Sequence, residues 1–431
     1  MRSASEARPR LAKLVSGLVV VNVLVAGAGF VTGPLLAQAL GPDGRGNLAA
    51  IIVPLTLTPQ IMVLSLNLYA GRQAARKVNV GLIADTIGGV LVVIGLAISA
   101  LALPLADYLA QGRDTVRAFL IVGFALTPIG LVALLLESLL VNLERWRAYI
   151  VARVLMPGLQ LTGVIALYLA GELTVATAAG LTMCAWLLTM APLSAALRGA
   201  GRLRFSLSFV REGIAFGARA WLGGIAQLAN ARFDQLLMIR LVDARELGLY
   251  AVAVTVSMAP SFFTGALAPP LYARVAGGQR ELIARAMRVT LLAAIGSGLA
   301  VAAVTPLLLP LLFGDGFRDA IAMALVLLLA AIPLAGAAVL SSALTADGAP
   351  GVPSIAEAIA LCITVPGLLL VLPWLGGLGA AIVSGVAYLA NFSVQLAVAR
   401  RRFGGRLRDY LVPKPEDVRF AIALLRSRGA A

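Results

Sequence analysis

Apolar residues occur in long stretches along almost the whole chain, and polar residues are concentrated in the short segments between them. Each stretch has about 20 or more residues, the length that crosses roughly 30 Å of hydrocarbon as a helix. We predict twelve such helices, at 14–39, 48–69, 81–104, 117–141, 150–170, 175–197, 214–239, 249–271, 287–313, 319–344, 354–372 and 376–398. The pattern therefore predicts an all-α polytopic membrane protein.

The composition agrees with a membrane protein, and the positions of the basic residues predict its orientation. Hydrophobic residues make up 60% of the 431 residues and charged residues only 13%, while the formal net charge is +15. Lysine and arginine cluster before the first helix, in alternate connections such as 198–213, and after residue 399. Cytoplasmic loops of membrane proteins carry such an excess. We therefore expect both termini in the cytoplasm, and the charge needs no nucleic acid to explain it.

The sequence lacks the residues that several kinds of functional site require. The chain has no histidine, and its two cysteines, Cys184 and Cys362, lie singly inside apolar segments. Zinc sites and disulfide frameworks need clustered or paired ligands. A membrane-embedded glycan polymerase or glycosyltransferase would need catalytic acids or a large outer loop, and the predicted outer loops are short. We therefore predict no enzymatic activity, no metal and no other cofactor.

Two parts of the chain suggest an internal duplication. The first predicted helix ends in LLAQALGPDGRGNLAA and the seventh in LLMIRLVDARELGLYA, and each passes through a short polar turn into another helix. Corresponding residues lie 201 to 203 positions apart. Two halves that both start on the cytoplasmic side would be related by an axis along the membrane normal. We predict two pseudo-symmetric six-helix bundles, 1–199 and 200–399, around a central cavity, followed by a basic cytoplasmic tail, 400–431.

The seventh predicted helix carries a polar stripe. At the helical period the stripe residues lie within about 80° of one another, and they are Arg219, Gly223, Gln227, Asn230 and Asp234. The offset of 201 carries the last four onto Asn22, Ala26, Gly29 and Gly33 of the first helix, which also share one face. Polar groups in hydrocarbon cost several kcal/mol each unless they meet partners or water. We therefore expect both faces to line a hydrated space between the halves.

Simpler roles stay open for several of these polar residues. Arg219 is near the cytoplasmic end of its helix and could extend to the interface instead of lining a cavity. Gln227 and Asn230 could be hydrogen-bonding contacts between helices. Arg153, at the start of the fifth helix, could also extend to the interface. Three acids near the predicted cytoplasmic boundary are expected to pair with nearby basic residues rather than couple transport to an ion: Asp85, Glu137 and Glu357.

Several motifs resemble one family. They are ALGPDGRGNLAA after the first helix, LLVNLERWRAYIVARVLMPGLQL between the fourth and fifth, FDQLLMIRLVDARELGLYAVAV across the seventh and eighth, SSALTADGAP after the tenth, and GGLGAAIVSGVAYLANF at the start of the twelfth. In order and spacing the chain resembles the bacterial polysaccharide flippases of the multidrug/oligosaccharidyl-lipid/polysaccharide superfamily. The resemblance implies a bacterial inner-membrane protein that moves an undecaprenyl-diphosphate-linked oligosaccharide from the inner to the outer leaflet by alternating access, for surface polysaccharide biosynthesis.

The resemblance also implies a binding site and partners. Asp234 matches the aspartate common in the family's seventh-helix motif. We expect substrate contacts from Arg219 to the diphosphate and from Gln227 and Asn230 to sugar hydroxyls, with Asn22 on the facing helix. The implied partners are the lipid-linked glycan, membrane lipids and, as an open alternative, a glycan polymerase or another polysaccharide-assembly protein. Family members often have a cationic cavity, but here only Arg219 and Arg153 are candidate lining cations, which puts an acidic glycan in doubt.

Two relatives of the same superfamily are the main alternatives. A cation-coupled multidrug antiporter usually holds an acid within the first helix, and the predicted first helix here has none. A lipid II flippase usually has fourteen helices and several cavity arginines, more than this sequence offers.

Overall fold

The computed structural model describes residues 4–197, 205–264, 278, 280 and 282–417. For residues 4–20, 22, 23, 26, 219, 220, 222–227, 229, 231 and 262–264 it describes the backbone alone. The described residues contain no β-strand. The α-helices are α1 (Ala4–Met62), α2 (Leu66–Ala75), α3 (Val80–Ala100), α4 (Ala102–Ala110), α5 (Asp114–Ala125), α6 (Thr127–Asn142), α7 (Trp146–Leu169), α8 (Val175–Ala195), α9 (Leu207–Leu241), α10 (Ala244–Ser257), α11 (Ala259–Thr264), α12 (Leu282–Phe313), α13 (Ala320–Ala346), α14 (Gly351–Phe403) and α15 (Leu407–Leu411).

The two longest helices are each broken at one glycine. Gly41 in α1 has φ 66° and Gly376 in α14 has φ 51°, backbone conformations that residues with a Cβ rarely adopt. With these breaks, each of the twelve predicted segments falls on a helix arm, a helix or a short helix series, although 265–271 of the eighth segment lies outside the described residues. By length and composition alone, six described helices can cross a membrane, or up to eight with two bent pairs.

The helix ends of the predicted duplication, at Gly41 and Leu241, lie 200 residues apart, one fewer than the smallest predicted offset. The first arm of α1 ends at the Gly41 break, and α9 ends at Leu241, two residues before Asp243 caps α10. Both turns contain an acidic residue and precede a second helix. The chain divides into two compact units, Met1–Trp221 and Leu222–Ala431. These units are defined by packing and not by sequence repeats. The predicted boundary between repeats at 199/200 stays a prediction.

The first unit has an apolar core between α2, α3 and α6. Large side chains that are at most 3% exposed fill it: Leu66, Tyr69, Ile83, Ile87, Leu91, Leu131, Leu135 and Leu139. The beginning of α9 also packs on this unit, because Trp221 donates from Nε1 to the carbonyl oxygen of Ile61 at 2.7 Å. Aromatic contacts of Tyr69 with Phe209 and Phe216 extend the same surface.

Helices α3 and α6 approach closely at a glycine, which gives a stability prediction. A methyl group on Gly95 would lie 2.5 Å from the Cα of Pro128, whereas one on Gly89, in the same helix, would meet nothing within 4 Å. Overpacking costs about 1–3 kcal/mol. We expect Gly95→Ala to lower the melting temperature of the detergent-solubilised protein, whereas the matched control Gly89→Ala should not lower it, because alanine has the higher helix propensity and meets no neighbour there. Equal melting temperatures for the two variants would contradict this packing.

The second unit has a core between α12, α13 and α14, and the tail packs against it. Ile283, Met287, Leu340 and Leu344 form its centre, together with Phe392 of α14 and Tyr410 of α15. An ion pair that is almost completely buried fixes the tail, because Arg288 of α12 donates from Nε to Asp417 Oδ2 at 2.6 Å. Arg288 also donates from Nη1 to the carbonyl oxygen of Asp409 at 2.5 Å. The part of the tail up to Asp417 is therefore a packed element of this unit.

The tail contacts predict a response to acid. The hydrogen bond from Arg288 holds the pKa of Asp417 below its usual value, so this pairing stabilises the docked tail above about pH 4, the ordinary pKa of aspartate. The stabilisation is lost as pH falls through the lowered pKa of the folded state. We expect the amides of α15 to exchange hydrogen faster, relative to those of α10, when the pH falls below that range. Asp417→Asn should produce the same loosening at pH 7, and unchanged α15 exchange in this variant would contradict the docking role.

Candidate functional site

The polar stripe of α9 continues into the second unit, where two of its residues are buried. Asn230 is 8% exposed and Asp234 5% exposed. They lie four residues apart on a helix, so their side chains are on the same face. Buried polar groups are costly unless they are hydrogen-bonded. Their partners therefore show what this face of α9 contacts.

Asp234 is held by two donors. Tyr250 of α10 donates its hydroxyl proton to Oδ2 at 2.5 Å, and the backbone N–H of Gln235 donates to Oδ1 at 2.7 Å. The Tyr250 hydroxyl also lies 3.4 Å from the hydroxyl of Ser384 in α14. Tyr250 is completely buried. One carboxylate thus connects α9 and α10, and through Tyr250 the contact extends to α14.

Asn230 connects α9 to α14 by a second route. Its Nδ2 donates to Glu357 Oε2 at 2.6 Å and to the carbonyl oxygen of Glu357 at 2.8 Å. The hydroxyl of Thr364 lies 3.4 Å from Asn230 Oδ1. Helix-to-helix hydrogen bonding by Asn230, one of the two roles that the sequence allows, is therefore present. The sequence did not predict Glu357 as its partner.

These residues line a cavity of about 420 Å³ within the second unit. Its polar lining residues are Asn230, Asp234, Tyr250, Ser257, Ser261, Glu357, Tyr388 and Asn391, and its apolar ones are Val254, Met258, Leu327, Ala331 and Leu334. The volume falls in the range of small-molecule sites. Neither lysine nor arginine is among these lining residues. The described lining therefore combines an apolar wall with polar side chains, two of which are carboxyl groups.

Asn391 is a further deeply buried polar residue of the lining. It is 2% exposed, and its Oδ1 accepts a hydrogen bond from Gln395 Nε2 at 2.6 Å. Gln395 Oε1 in turn accepts from the hydroxyl of Ser341 at 2.9 Å. This series fixes the orientation of the Asn391 amide. Among the described residues, Asn391 Nδ2 donates no hydrogen bond.

The structure locates only part of the predicted site. It brings Asn230 and Asp234 to one cavity, whereas the side chains of Asn22, Arg219 and Gln227 lie outside the described residues. A cavity between the halves stays a prediction. Sequence reasoning missed Tyr250, Tyr388 and Asn391, which lie on other helices and form no stripe with α9. All three lie within the motifs that resemble the flippase family, and this was the only feature of the sequence that could have identified them.

The first unit holds a separate, mostly apolar cavity of about 310 Å³. It is lined by Leu55, Thr56, Pro59, Gln60, Leu126, Ile129, Gly130, Ala133, Leu134, Glu137, Met156, Trp186, Leu187, Thr189 and Met190. Arg153, the second candidate cation, is exposed in the same unit and donates to the hydroxyl of Tyr149 at 3.0 Å. Among the described lining residues, Glu137 is the only one with a carboxyl group.

Solved structures show which fold this is. The chain is similar to an inward-facing multidrug resistance MATE family transporter of the MOP superfamily, with 16% identity over 89% of this chain and 98% of that one and a TM-score of 0.70. It is also similar to the lipid II flippase MurJ in an inward closed conformation, with 11% identity, coverage of 95% and 92%, and a TM-score of 0.76. A MOP superfamily transporter from Pyrococcus furiosus matches with 17% identity, coverage of 91% and 95%, and a TM-score of 0.59.

The sequence itself matches a family. No match was found among curated proteins. Residues 11–271, more than half of the chain, match the family described as polysaccharide biosynthesis protein. Together with the apolar helices, the family and the fold identify a multi-pass membrane protein. The chain belongs to the polysaccharide biosynthesis protein family and has the fold of the MOP superfamily transporters.

Proposed function

We propose that this protein is a flippase that moves an undecaprenyl-diphosphate-linked oligosaccharide from the inner to the outer leaflet of the bacterial inner membrane by alternating access. The glycan would serve surface polysaccharide biosynthesis, and the termini would be cytoplasmic. Membership of the polysaccharide biosynthesis family supports a glycan substrate. The transporter fold supports movement across the membrane rather than catalysis.

The observation that carries the proposal is the polar cavity inside an otherwise apolar helical unit. Hydroxyl, amide and carboxyl groups from α9, α10, α11 and α14 converge on about 420 Å³. Polar groups in a membrane protein are expensive and usually mark a substrate or ion pathway. A glycan cannot cross hydrocarbon alone, because its hydroxyls and diphosphate would lose their water. Groups such as these can replace part of that water while the prenyl chain stays in the lipid.

Different residues of the α9 stripe would bind different parts of the substrate. Arg219 would attract the diphosphate at the cytoplasmic side, because a guanidinium stays charged and binds phosphate oxygens in pairs. Gln227 and Asn230 would hydrogen-bond sugar hydroxyls, with Asn22 on the facing helix. Asp234 would accept a proton or weaken the hold on the anion, so that the substrate leaves outward.

Reconstitution tests the function directly. The full-length protein is incorporated into liposomes whose inner leaflet carries a fluorescent prenyl-diphosphate-linked disaccharide, and the label that reaches the outer leaflet is quenched over time. We expect the protein to accelerate quenching well above that of empty liposomes. A drug antiporter would instead move a lipophilic cation such as ethidium and leave the disaccharide behind, and that outcome would contradict the proposal.

A further inference from the structure

The cavity of the second unit has an unusual balance of charge. Two carboxyl groups, those of Asp234 and Glu357, belong to its lining, and none of the lining residues that the structure describes is cationic. Arg232 lies two residues before Asp234 on α9 and is half-buried, but it is absent from the lining. A negatively charged guest would therefore enter a space that already holds two acids.

The same cavity offers hydrogen-bonding groups to a guest. Asn391 is buried and held rigidly by Gln395, and its Nδ2 donates no hydrogen bond among the described residues. Tyr388 lines the cavity with a half-buried ring and a hydroxyl. Asn230 donates to Oε2 of Glu357 and not to Oε1, so Oε1 can accept a hydrogen bond from a guest. A donor, a hydroxyl and an acceptor thus surround one space. A polyol needs this combination, because each of its hydroxyls both donates and accepts.

The apolar part of the lining fits the same guest. Val254, Leu327 and Leu334 face the cavity together with the ring of Tyr388. Ligand sites typically combine an apolar wall with a few fixed polar groups that set the orientation. A sugar ring presents C–H groups on its faces and hydroxyls at its edge. Its faces would contact the apolar wall while its edge meets Asn391 and Glu357.

We infer that the cavity between α9, α10 and α14 holds a sugar unit of the transported glycan and selects an acid-free sugar, neutral or amino-bearing, over a uronic acid. The inference rests on the proposed function and adds the substrate class. A uronate would place a third carboxyl group beside Asp234 and Glu357, where the described part of the lining offers no cation, and an uncompensated buried charge is strongly unfavourable. An amino sugar would instead bring a cation toward two acids. Selection thus comes from repulsion as well as from fit.

Binding of three matched probes tests the selection. The full-length protein in lipid nanodiscs is titrated with a prenyl diphosphate that carries N-acetylglucosamine, glucosamine or glucuronic acid, so that the lipid and diphosphate are constant. We expect the glucuronate probe to bind at least about tenfold more weakly than the N-acetylglucosamine probe, because placing like charges side by side disfavours binding. The glucosamine probe should bind at least as tightly as N-acetylglucosamine.

Two variants assign the selection to this cavity. Glu357→Gln keeps an acceptor for Asn230 and removes one charge, so the tenfold difference should fall to roughly threefold or less. Asp234→Asn serves as a second variant if Glu357→Gln is not recovered folded. The control Asp319→Asn makes the same chemical change at an exposed position outside the cavity and should keep the full difference.

The outcomes separate the inference from the function on which it rests. Equal binding of glucuronate and N-acetylglucosamine would overturn the inference and leave the flippase intact. Unchanged selectivity in both cavity variants would overturn the assignment to this cavity. If none of the three probes binds more tightly than the prenyl diphosphate without a sugar, both the inference and the proposed function fail.

Discussion

Asp234→Asn should lower glycan transport in the liposome assay by roughly tenfold or more, which corresponds to about 1.4 kcal/mol in the barrier. The side chain is buried, accepts from Tyr250 and Gln235, and lines the cavity of the second unit. Asparagine has the same shape, its Oδ1 can still accept from the Gln235 N–H, and its Nδ2 can donate to the Tyr250 hydroxyl. The substitution therefore removes charge and proton binding while it preserves the packing.

A companion variant separates charge from hydrogen bonding. Tyr250→Phe removes the donor to Asp234 and leaves the carboxyl group in place, so we expect a smaller loss of transport than in Asp234→Asn. The control is again Asp319→Asn, which should transport at the wild-type rate. Wild-type transport by Asp234→Asn at equal protein abundance would show that the carboxyl group is only a structural contact between α9 and α10.

Arg219→Gln should abolish most transport, and Arg219→Lys should impair it less. The backbone of residue 219 lies within α9, and our proposal assigns its guanidinium to the diphosphate. A lysine keeps the charge but loses the planar fork that holds phosphate oxygens in pairs, whereas glutamine loses both. Transport is measured with the same liposome assay at equal abundance of each variant.

The matched control lies on the same helix. Arg211 is exposed near the start of α9, and Arg211→Gln removes an equal charge from a position outside the proposed site. It should transport normally. Full transport by Arg219→Gln would instead mean that Arg219 is an interfacial anchor, and Arg153 would then be the next candidate for the diphosphate.

The acids in the described cavity do not fit the cationic cavity that the family resemblance implies. A cationic cavity would favour an acidic glycan, and the sequence already offered few candidate cations. The structure adds a cavity in the second unit whose described lining residues include two carboxyl groups and neither lysine nor arginine. Diphosphate binding and sugar binding would therefore use different parts of α9.

The sequence by itself determined the class of the protein, its helices and the polar face of α9. Stretches of about 20 apolar residues have few alternatives to helices, because backbone groups in hydrocarbon must be satisfied within the segment. The helical period then placed Asn230 and Asp234 on one face without any knowledge of packing. It also predicted the second helices that begin after Gly41 and after Leu241.

Only the tertiary structure decided what that face meets. Tyr250, Glu357 and Asn391 come from α10 and α14, and no local period relates them to α9. Glu357 illustrates the difference, because position near a helix end predicted a basic partner, whereas packing gave it Asn230. The sequence likewise predicts only a basic cytoplasmic tail, whereas the structure shows Asp417 of that tail buried against Arg288. Contacts between residues far apart in sequence depend on how helices pack, and an apolar periodicity does not encode that pairing.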